Sequence, residues 1–330
     1  MIWITFIAWA VVIVLAAIKL AQYGDVIALR TGLGGLFVGT LLMAGATSLP
    51  EFLTGISSIN QDVPDLAAGN IFGSSMFNMF MLAILDLMNQ RYRVLRKIAV
   101  SHALTASLAI LLTGAAVFFI EAKIDISIGW FGADSLLLVG LYLFGTQIIH
   151  TYNRSLGSSA EPAVEDFEGV MPLWRAGLGF LGATIVLILV TPQMVISATE
   201  IAAETGLSTG FVGLALVAIV TSLPELVTTI AASRIGAYDL AVGNLFGSNI
   251  FNIFALGVTD AFYTKGLFLS DLDRDIALSG ILALLLTSMA LVGNLSRVER
   301  RLIFIEIDAF LIMLIYILGL LTLYERGLVG

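Results

Sequence analysis

Two glutamates, Glu51 and Glu225, each end the same five-residue stretch, TSLPE, and each lies inside a long apolar segment. A carboxylate at the centre of a membrane helix costs about 2.5–3.5 kcal/mol on insertion scales. No Lys or Arg lies at the central depth of any apolar segment to offset either charge. Two such carboxylates need protons or metal cations, so the pattern predicts a cation site.

The residues near each glutamate supply further oxygen atoms. A Thr–Ser pair precedes each glutamate by four and three residues, which places all three side chains on one side of a helix. Two later pairs, each one helical turn apart, add a hydroxyl and an amide. The predicted ligands in these patterns are Thr47, Ser48, Ser74 and Asn78 in the first half of the chain, and Thr221, Ser222, Ser248 and Asn252 in the second.

Prolines next to the glutamates add backbone oxygens to this set. Pro50 and Pro224 each lack an N–H, so we expect kinked helices with carbonyls freed about one turn upstream, near residues 44–47 and 218–221. Carboxylate, hydroxyl, amide and carbonyl oxygens suit Ca²⁺ or Na⁺, whereas Zn²⁺ and Cu²⁺ favour His or Cys. The chain has no cysteine and two histidines.

The composition places these residues in a membrane. The chain is 59% hydrophobic and 12% charged, whereas soluble proteins are about 25% charged. Its net charge of −8 disfavours nucleic acid as a partner, because phosphate backbones repel it. The lipid bilayer is the expected surrounding, and no resident cofactor and no catalytic residue are predicted.

Ten apolar segments are long enough to cross a bilayer. We number them spans 1 to 10: residues 2–20, 35–59, 66–87, 99–120, 133–151, 173–199, 208–233, 240–263, 276–294 and 302–324. A polar linker separates two halves, which gives residues 1–151, a cytoplasmic linker at 152–172 and residues 173–330. The predicted fold class is therefore an all-α membrane protein with ten transmembrane helices.

Basic residues predict the orientation. Loops after odd-numbered spans hold 12 of the 16 Lys and Arg residues, and such loops face the cytoplasm. Both termini are then extracytoplasmic, and we expect a multi-pass protein of the cell (inner) membrane.

The two halves are copies of one another. An ungapped shift of 174 residues aligns residues 31–80 with 205–254 and gives 26 identities in 50 positions. Equivalent positions are five spans apart, and because five is odd, the second copy runs through the membrane in the opposite direction. Inverted repeats with broken helices meeting at the bilayer midplane are typical of secondary transporters. We expect spans 2, 3, 7 and 8 to surround the midplane ion site.

The remaining polar residues of the spans are interpreted as structural. Asp65 and Asp239 are predicted to cap spans 3 and 8, and Asp134 and Asp308 to cap or pack near the starts of spans 5 and 10. Asp86 and Asp260 are expected to be solvated at helix ends, and His102 is assigned no role.

The two motifs resemble those of the calcium/cation antiporter superfamily, most closely its prokaryotic sodium/calcium exchangers. The first copy contains GATSLPE at 45–51 and GNIFGSSMFN at 69–78, and the second contains VTSLPE at 220–225 and GNLFGSNIFN at 243–252. The resemblance covers both motifs, their spacing and the inverted halves. Asn252 is a departure, since some relatives, including potassium-dependent exchangers, carry Asp there; the amide disfavours K⁺ co-transport.

The resemblance implies a function and a ligand set. It implies alternating-access exchange of about three Na⁺ for one Ca²⁺, with spans 1 and 6 sliding across the other helices. Glu51 and Glu225 would bind both ions, helped by the hydroxyl and amide residues named above and by backbone carbonyls near Ala44 and Ala218. Inward Na⁺ and voltage gradients would then drive Ca²⁺ extrusion.

Other functions remain open from sequence. A proton/Ca²⁺ antiporter, or one for another divalent cation, on the same scaffold would titrate the two glutamates instead of binding Na⁺ there. A passive channel would keep the acids but leave the fluxes uncoupled. An intramembrane enzyme is a remote alternative, because a lipid-phosphate hydrolase would need Arg or His beside its carboxylates. The oligomeric state is not predicted, since one chain of ten spans is sufficient for transport.

Overall fold

The protein is described by a computed structural model that covers residues 1–31, 43–88, 99–155, 171–295, 301–302 and 305–327. Within these ranges, nine helices are long and apolar enough to cross a membrane. Span 2 is described in part, because its predicted residues 35–42 lie outside these ranges. The chain is a nearly all-helical, multi-pass membrane protein, as predicted.

The first half contains spans 1 to 5. Its elements are span 1 (Ile2–Thr31), span 2 (helical residues 43–47, then Leu49–Asn60), span 3 (Pro64–Met88), span 4 (Ala99–Ala122) and span 5 (Ala133–Ser155). A short antiparallel hairpin, Ser127–Ile128 with Phe131–Gly132, precedes span 5. This hairpin was not predicted, because two-residue strands leave no periodic pattern.

The second half repeats this order. Span 6 is Leu173–Thr205, and span 7 consists of Thr209–Val212, the π-helical turn Gly213–Val217, Ala218–Thr221 and Leu223–Arg234. Span 8 is Tyr238–Thr259 with the 3₁₀ turn Asp260–Phe262, followed by the short helix Phe268–Asp271. Span 9 is Arg274–Leu295, and the hairpin Arg301–Leu302 with Ile305–Glu306 precedes span 10, Ile307–Gly327.

Spans 2 and 7 are broken at equivalent serines. Ser48 has φ −87° and ψ 8°, and Ser222 has φ −89° and ψ 2°, so both leave the helical conformation by the same amount. A proline stands in the first turn of each following helix, where its missing N–H costs nothing. The predicted interruption beside each proline is therefore present, and the glutamate falls in the first turn of the new helix.

Spans 3 and 8 form the centre of the molecule, and spans 1 and 6 its outside. Within their apolar windows, 72% of span 3 and 83% of span 8 are buried, compared with 33% of span 1 and 22% of span 6. Spans 1 and 6 pack along each other through a separate apolar cluster that includes Ile13, Ala17 and Leu187. Both are longer than predicted, because their polar C-terminal turns continue the helix to Thr31 and Thr205.

Two glycines let span 3 approach the first part of span 7 closely. A β-carbon on Gly69 would collide with the carbonyl of Gly210, and one on Gly73 with the carbonyl of Leu214. Backbone therefore packs directly on backbone, which small residues four positions apart allow. This contact brings the serine that follows Gly73 against the end of the broken helix.

Aromatic pairs repeat the symmetry across the two halves. Phe80 stacks on Tyr316 with ring centroids 4.6 Å apart, and the equivalent pair, Phe254 and Tyr142, stacks at 4.3 Å. Each pair joins span 3 or 8 of one half to the last span of the other. The two halves are thus interlocked rather than adjacent, so neither half is expected to fold without the other.

The predicted division into residues 1–151, 152–172 and 173–330 stays a prediction. Most of the linker, residues 156–170, lies outside the described ranges, as does most of the basic cluster at 91–97.

Candidate cation site

The two glutamates occupy equivalent positions at the centre of the molecule. Glu51 and Glu225 are each 1% exposed, and each lies in the first turn of the helix that restarts after the break. The N-terminal end of a helix favours negative charge, since its free N–H groups point outwards. The fold therefore supports two carboxylates where the bilayer alone would reject them.

Each carboxylate accepts a hydrogen bond from the serine of the opposite half. The Ser48 hydroxyl donates to Oε1 of Glu225 at 2.9 Å, and the Ser222 hydroxyl donates to Oε1 of Glu51 at 3.1 Å. The serine of each TSLPE motif thus donates to the glutamate of the other motif, although the sequence spacing places each serine near the glutamate of its own motif. Broken helices from both halves meet at this point.

A second serine from the same half completes each set. Ser74 donates to Oε1 of Glu51 at 3.3 Å, and Ser248 donates to Oε1 of Glu225 at 3.4 Å. Every predicted serine therefore contacts one of the glutamates, and all four bonds end on an Oε1 atom. The Oε2 atoms are left for other partners.

Four oxygen atoms in this region are buried without a hydrogen-bond partner among the described residues. They are Oε2 of Glu51, Oε2 of Glu225, Oδ1 of Asn78 and Oδ1 of Asn252. Buried polar atoms are nearly always bonded, so an unbonded set demands an explanation. A cation held by these oxygens would supply the missing partner. No Lys or Arg described in the structure forms an ion pair with either glutamate.

The predicted threonines lie against the predicted carbonyls of their own helices. The Thr47 hydroxyl donates to the carbonyl of Ala44 at 3.2 Å, and the Thr221 hydroxyl lies 3.3 Å from the carbonyl of Ala218. Those carbonyls also accept the backbone N–H of Ser48 and Ser222, at 2.9 and 3.0 Å.

Ala44 and Ala218 are thus not the residues whose carbonyls proline frees within the predicted ranges 44–47 and 218–221. The acceptor that loses its helical partner lies four residues before a proline, which is Ala46 for Pro50. Each carbonyl oxygen keeps a second lone pair, so cation binding by Ala44 and Ala218 stays a prediction.

Asparagines that carried no predicted role link the halves around the site. Asn70 accepts the Thr221 hydroxyl at 3.0 Å, and Asn249 accepts the Asn78 amide at 2.9 Å while donating to the carbonyl of Ser75 at 3.2 Å. Asn70 aligns with Asn244 when the two halves are superposed by 174 residues, and this identity could have marked Asn70 as a site residue. Asn249 aligns with a serine, and nothing in the sequence marks it.

Several interpretations of polar residues outside the site need correction. Asp86 and Asp260, expected to be solvated, are 3% and 0% exposed. Asp239 does not cap span 8, whose N-cap is Ala237; its carboxylate instead lies 3.2 Å from His102, which had been given no role. Asp260 is enclosed because the hairpin before span 5 and the short helix after span 8 lie against it and donate the N–H groups of Gly132 and Phe268 to its carboxylate.

Asp134 and Asp308 lie in the first turns of spans 5 and 10, and the prediction that they cap or pack there stays a prediction. Each accepts the N–H of the next residue, at 2.8 Å for Asp134 and 3.0 Å for Asp308. Asp65 accepts the N–H of Asp273 at 3.0 Å and therefore ties span 3 to the start of span 9 rather than capping its own helix.

Comparisons with known proteins agree with this geometry. The sequence matches the family described as sodium/calcium exchanger protein over residues 1–149 and 176–324. It is 29% identical over 301 residues to CaxA of Alkalimonas amylolytica, covering 88% of this chain and 90% of CaxA. It is 27% identical over 330 residues to the sodium/calcium exchanger MaX1 of Methanosarcina acetivorans, covering 88% and 92%.

A solved structure supports the fold. The H⁺/Ca²⁺ exchanger CAX superposes with a TM-score of 0.69 over 99% of this chain and 89% of CAX, at 15% sequence identity. At that identity the likeness concerns the fold alone, and it confirms the predicted inverted-repeat exchanger fold. It does not distinguish one transported cation from another.

Proposed function

Because this chain belongs to the sodium/calcium exchanger protein family, we propose that it exchanges Na⁺ for Ca²⁺ at Glu51 and Glu225 by alternating access. Family membership makes the chain a secondary transporter of the cation-exchanger class rather than an enzyme, and a Na⁺/Ca²⁺ or H⁺/Ca²⁺ exchanger by class. The coupling ion, the stoichiometry and the direction are the parts proposed here.

The observation that carries the proposal is the set of unbonded oxygens. Two carboxylate oxygens and two amide oxygens, those of Glu51, Glu225, Asn78 and Asn252, are buried, and no donor among the described residues satisfies them. Ca²⁺ takes six to eight oxygen ligands, and Na⁺ sites in transporters likewise use neutral oxygens near broken helices. Four serine hydroxyls within hydrogen-bond distance of the carboxylates enlarge the same set.

The amide oxygens favour Na⁺ over H⁺ as the coupling ion. A proton needs only a carboxylate, and Glu51 and Glu225 could carry one each. The Oδ1 atoms of Asn78 and Asn252 would serve Ca²⁺ in either kind of exchanger, but only a coupling ion other than a proton would also use them. Unbonded neutral oxygens lower the free energy of a bound monovalent cation, which is the reason to prefer Na⁺.

Charge balance provides the coupling. Two carboxylates offset one Ca²⁺, so the loaded site is nearly neutral, whereas the empty site is a buried dianion that is costly to move between the two faces. Filling by Ca²⁺ or by several Na⁺ would permit the rearrangement, and exchange rather than leak follows. If three Na⁺ move per Ca²⁺, one net charge crosses per cycle, worth about 2.3 kcal/mol per 100 mV, and inward gradients extrude Ca²⁺.

Radioactive Ca²⁺ uptake into proteoliposomes tests the proposal. Vesicles loaded with Na⁺ should take up Ca²⁺, whereas vesicles loaded with choline or K⁺ should not, and a pH gradient alone should drive nothing. Glu51→Gln should abolish uptake. Glu204→Gln is the matched control, because it makes the same change on an exposed residue of span 6 and should leave uptake unchanged.

Two results would contradict the proposal in different ways. Uptake driven by the pH gradient and indifferent to internal Na⁺ would make the chain a proton-coupled exchanger and both glutamates proton carriers. Uptake that survives Glu51→Gln and Glu225→Gln would place transport elsewhere in the molecule.

A further inference from the structure

A second pair of buried acids lies away from the central site, where spans 5 and 8 meet. Asp134 and Asp260 are 1% and 0% exposed. Both carboxylates flank Gly132 in the hairpin before span 5, and a β-carbon there would collide with Asp134 and lie 3.0 Å from Oδ2 of Asp260. Two negative charges are therefore enclosed side by side.

Nothing described in the structure neutralises this pair. Neither aspartate forms an ion pair with a described Lys, Arg or His. Backbone donors cover three of the four oxygens: Gly132 N–H donates to Asp260 at 2.7 Å, Phe268 N–H to Asp260 at 3.4 Å and Ser135 N–H to Asp134 at 2.8 Å. These N–H groups stabilise the carboxylates but do not neutralise them. Burying two negative charges without a counterion carries a large desolvation cost.

Two further oxygens at the pair lack partners. Oδ2 of Asp134 and the hydroxyl of Ser135 are both buried without a hydrogen-bond partner among the described residues. Ser135 is itself 0% exposed, and its side chain faces the Asp260 carboxyl group. A cation bound beside the Asp260 carboxylate would satisfy this enclosed hydroxyl, which has no hydrogen bond of good geometry among the described residues.

We propose that Asp134, Ser135 and Asp260 form a second cation site that binds one Ca²⁺. Two carboxylates offset a divalent charge, and carboxylate and hydroxyl oxygens are the ligands that Ca²⁺ prefers. Each oxygen that accepts one N–H keeps a lone pair for the metal. Asp260 follows Asn252 by eight residues along span 8, which separates the two sites by about 12 Å. In the predicted orientation this site lies at the extracytoplasmic end of span 8.

Calcium binding in the absence of the central site tests the proposal. Purified protein carrying both Glu51→Gln and Glu225→Gln is titrated with Ca²⁺ by calorimetry in choline buffer. We expect one Ca²⁺ per chain to remain bound, and to be lost when Asp260→Asn or Asp134→Asn is added. Asp125→Asn removes a carboxylate that is exposed on the same loop, and it should leave this binding unchanged.

A thermal readout separates a lost site from a lost fold. Ca²⁺ should raise the unfolding temperature of the Glu51→Gln, Glu225→Gln protein, and this increase should vanish with Asp260→Asn while the cation-free protein still unfolds cooperatively. Absence of Ca²⁺ binding in the parent variant would overturn the proposal, as would binding that is equal in the Asp260→Asn and Asp125→Asn proteins. A parent variant stabilised by Asp134→Asn without any Ca²⁺ effect would assign a proton to the pair and equally overturn it.

This test does not depend on the coupling ion. It measures equilibrium binding in a variant that cannot transport, so a proton-coupled exchanger would give the same expected result. Failure of Na⁺-driven uptake and failure of the second site are therefore distinguishable.

Discussion

The cross-repeat hydrogen bonds make a prediction that sequence spacing would reverse. Ser48 stands three residues before Glu51 but donates to Glu225, and Ser222 stands three residues before Glu225 but donates to Glu51. Removing both partners of a real pair should cost less than the sum of the single losses, and a double-mutant cycle measures the difference. We expect strong coupling for Ser48 with Glu225 and almost none for Ser48 with Glu51.

The magnitude follows from the geometry. Both partners of the 2.9 Å bond are at most 1% exposed, and a hydrogen bond to a charged group contributes about 1.5–3 kcal/mol. Without Ser48, Oε1 of Glu225 keeps the longer bond from Ser248 at 3.4 Å. The coupling energy for Ser48 and Glu225 should therefore be about 1.5–3 kcal/mol, and that for Ser48 and Glu51 at most about 0.5 kcal/mol.

The assay is chemical unfolding in detergent, in choline buffer without Na⁺ or Ca²⁺, because a bound cation would replace the lost hydrogen bond. Ser48→Ala is combined with Glu225→Met in one cycle and with Glu51→Met in the other, since Met accepts no hydrogen bond of comparable strength. Equal coupling in the two cycles, or stronger coupling with Glu51, would refute the cross-repeat arrangement and with it the description of the site.

Three further predictions follow from particular contacts. Gly73→Ala should lower the free energy of unfolding by about 1–3 kcal/mol, because the added β-carbon meets backbone atoms. Gly182 has open space around it, so Gly182→Ala should raise the free energy of unfolding by less than about 1 kcal/mol. Chemical unfolding of both variants checks this, and equal effects would contradict it. Lys265→Met breaks an exposed ion pair with Asp62 and should cost less than about 1 kcal/mol, falling further in high salt; a larger loss on unfolding would contradict it. Asn252→Asp adds a third buried charge and should slow Na⁺-driven Ca²⁺ uptake by about tenfold or more, an effect of about 1.4 kcal/mol or more; faster uptake in the absence of K⁺ would contradict it.

Sequence reasoning located the glutamates because the repeat gives each motif twice. An identity at Glu51 and Glu225 within identical pentapeptides fixes their depth, and the odd number of spans between them fixes opposite directions. Their helix breaks followed from Pro50 and Pro224, because a proline in a helix interior removes a hydrogen bond and kinks or breaks the helix; span 6, which continues through Pro192, shows that a break is not the outcome at every proline. These inferences rest on the covalent structure of proline and on counting residues and spans, and neither requires knowledge of the tertiary structure.

The partner of each serine could not be predicted in the same way. Spacing within a helix tells which side chains share a face, and it placed Ser48 beside Glu51 correctly in that sense. Which carboxylate the hydroxyl reaches depends on how closely spans 2 and 7 approach, which in turn depends on Gly69 and Gly73 packing against the backbone of span 7. The burial of Asp260 escaped prediction for a similar reason, because the hairpin that covers it is two residues per strand.

The two halves of the site are not fully symmetric, and this asymmetry explains why we expect a charge at position 252 to slow transport. Asn78 donates its amide to Asn249 at 2.9 Å. The residue equivalent to Asn249 is Ser75, whose shorter side chain donates to the carbonyl of Ile71 in its own helix at 3.1 Å and forms no hydrogen bond with Asn252. Among the described residues, Asn252 has no hydrogen-bond partner for either amide atom, whereas Asn78 lacks one for its oxygen alone. A cation can take the oxygen of either asparagine without displacing a hydrogen bond. The Asn78 amide is anchored by its bond to Asn249, whereas that of Asn252 is held by no described residue, so a carboxylate at position 252 is free to act on the ion directly.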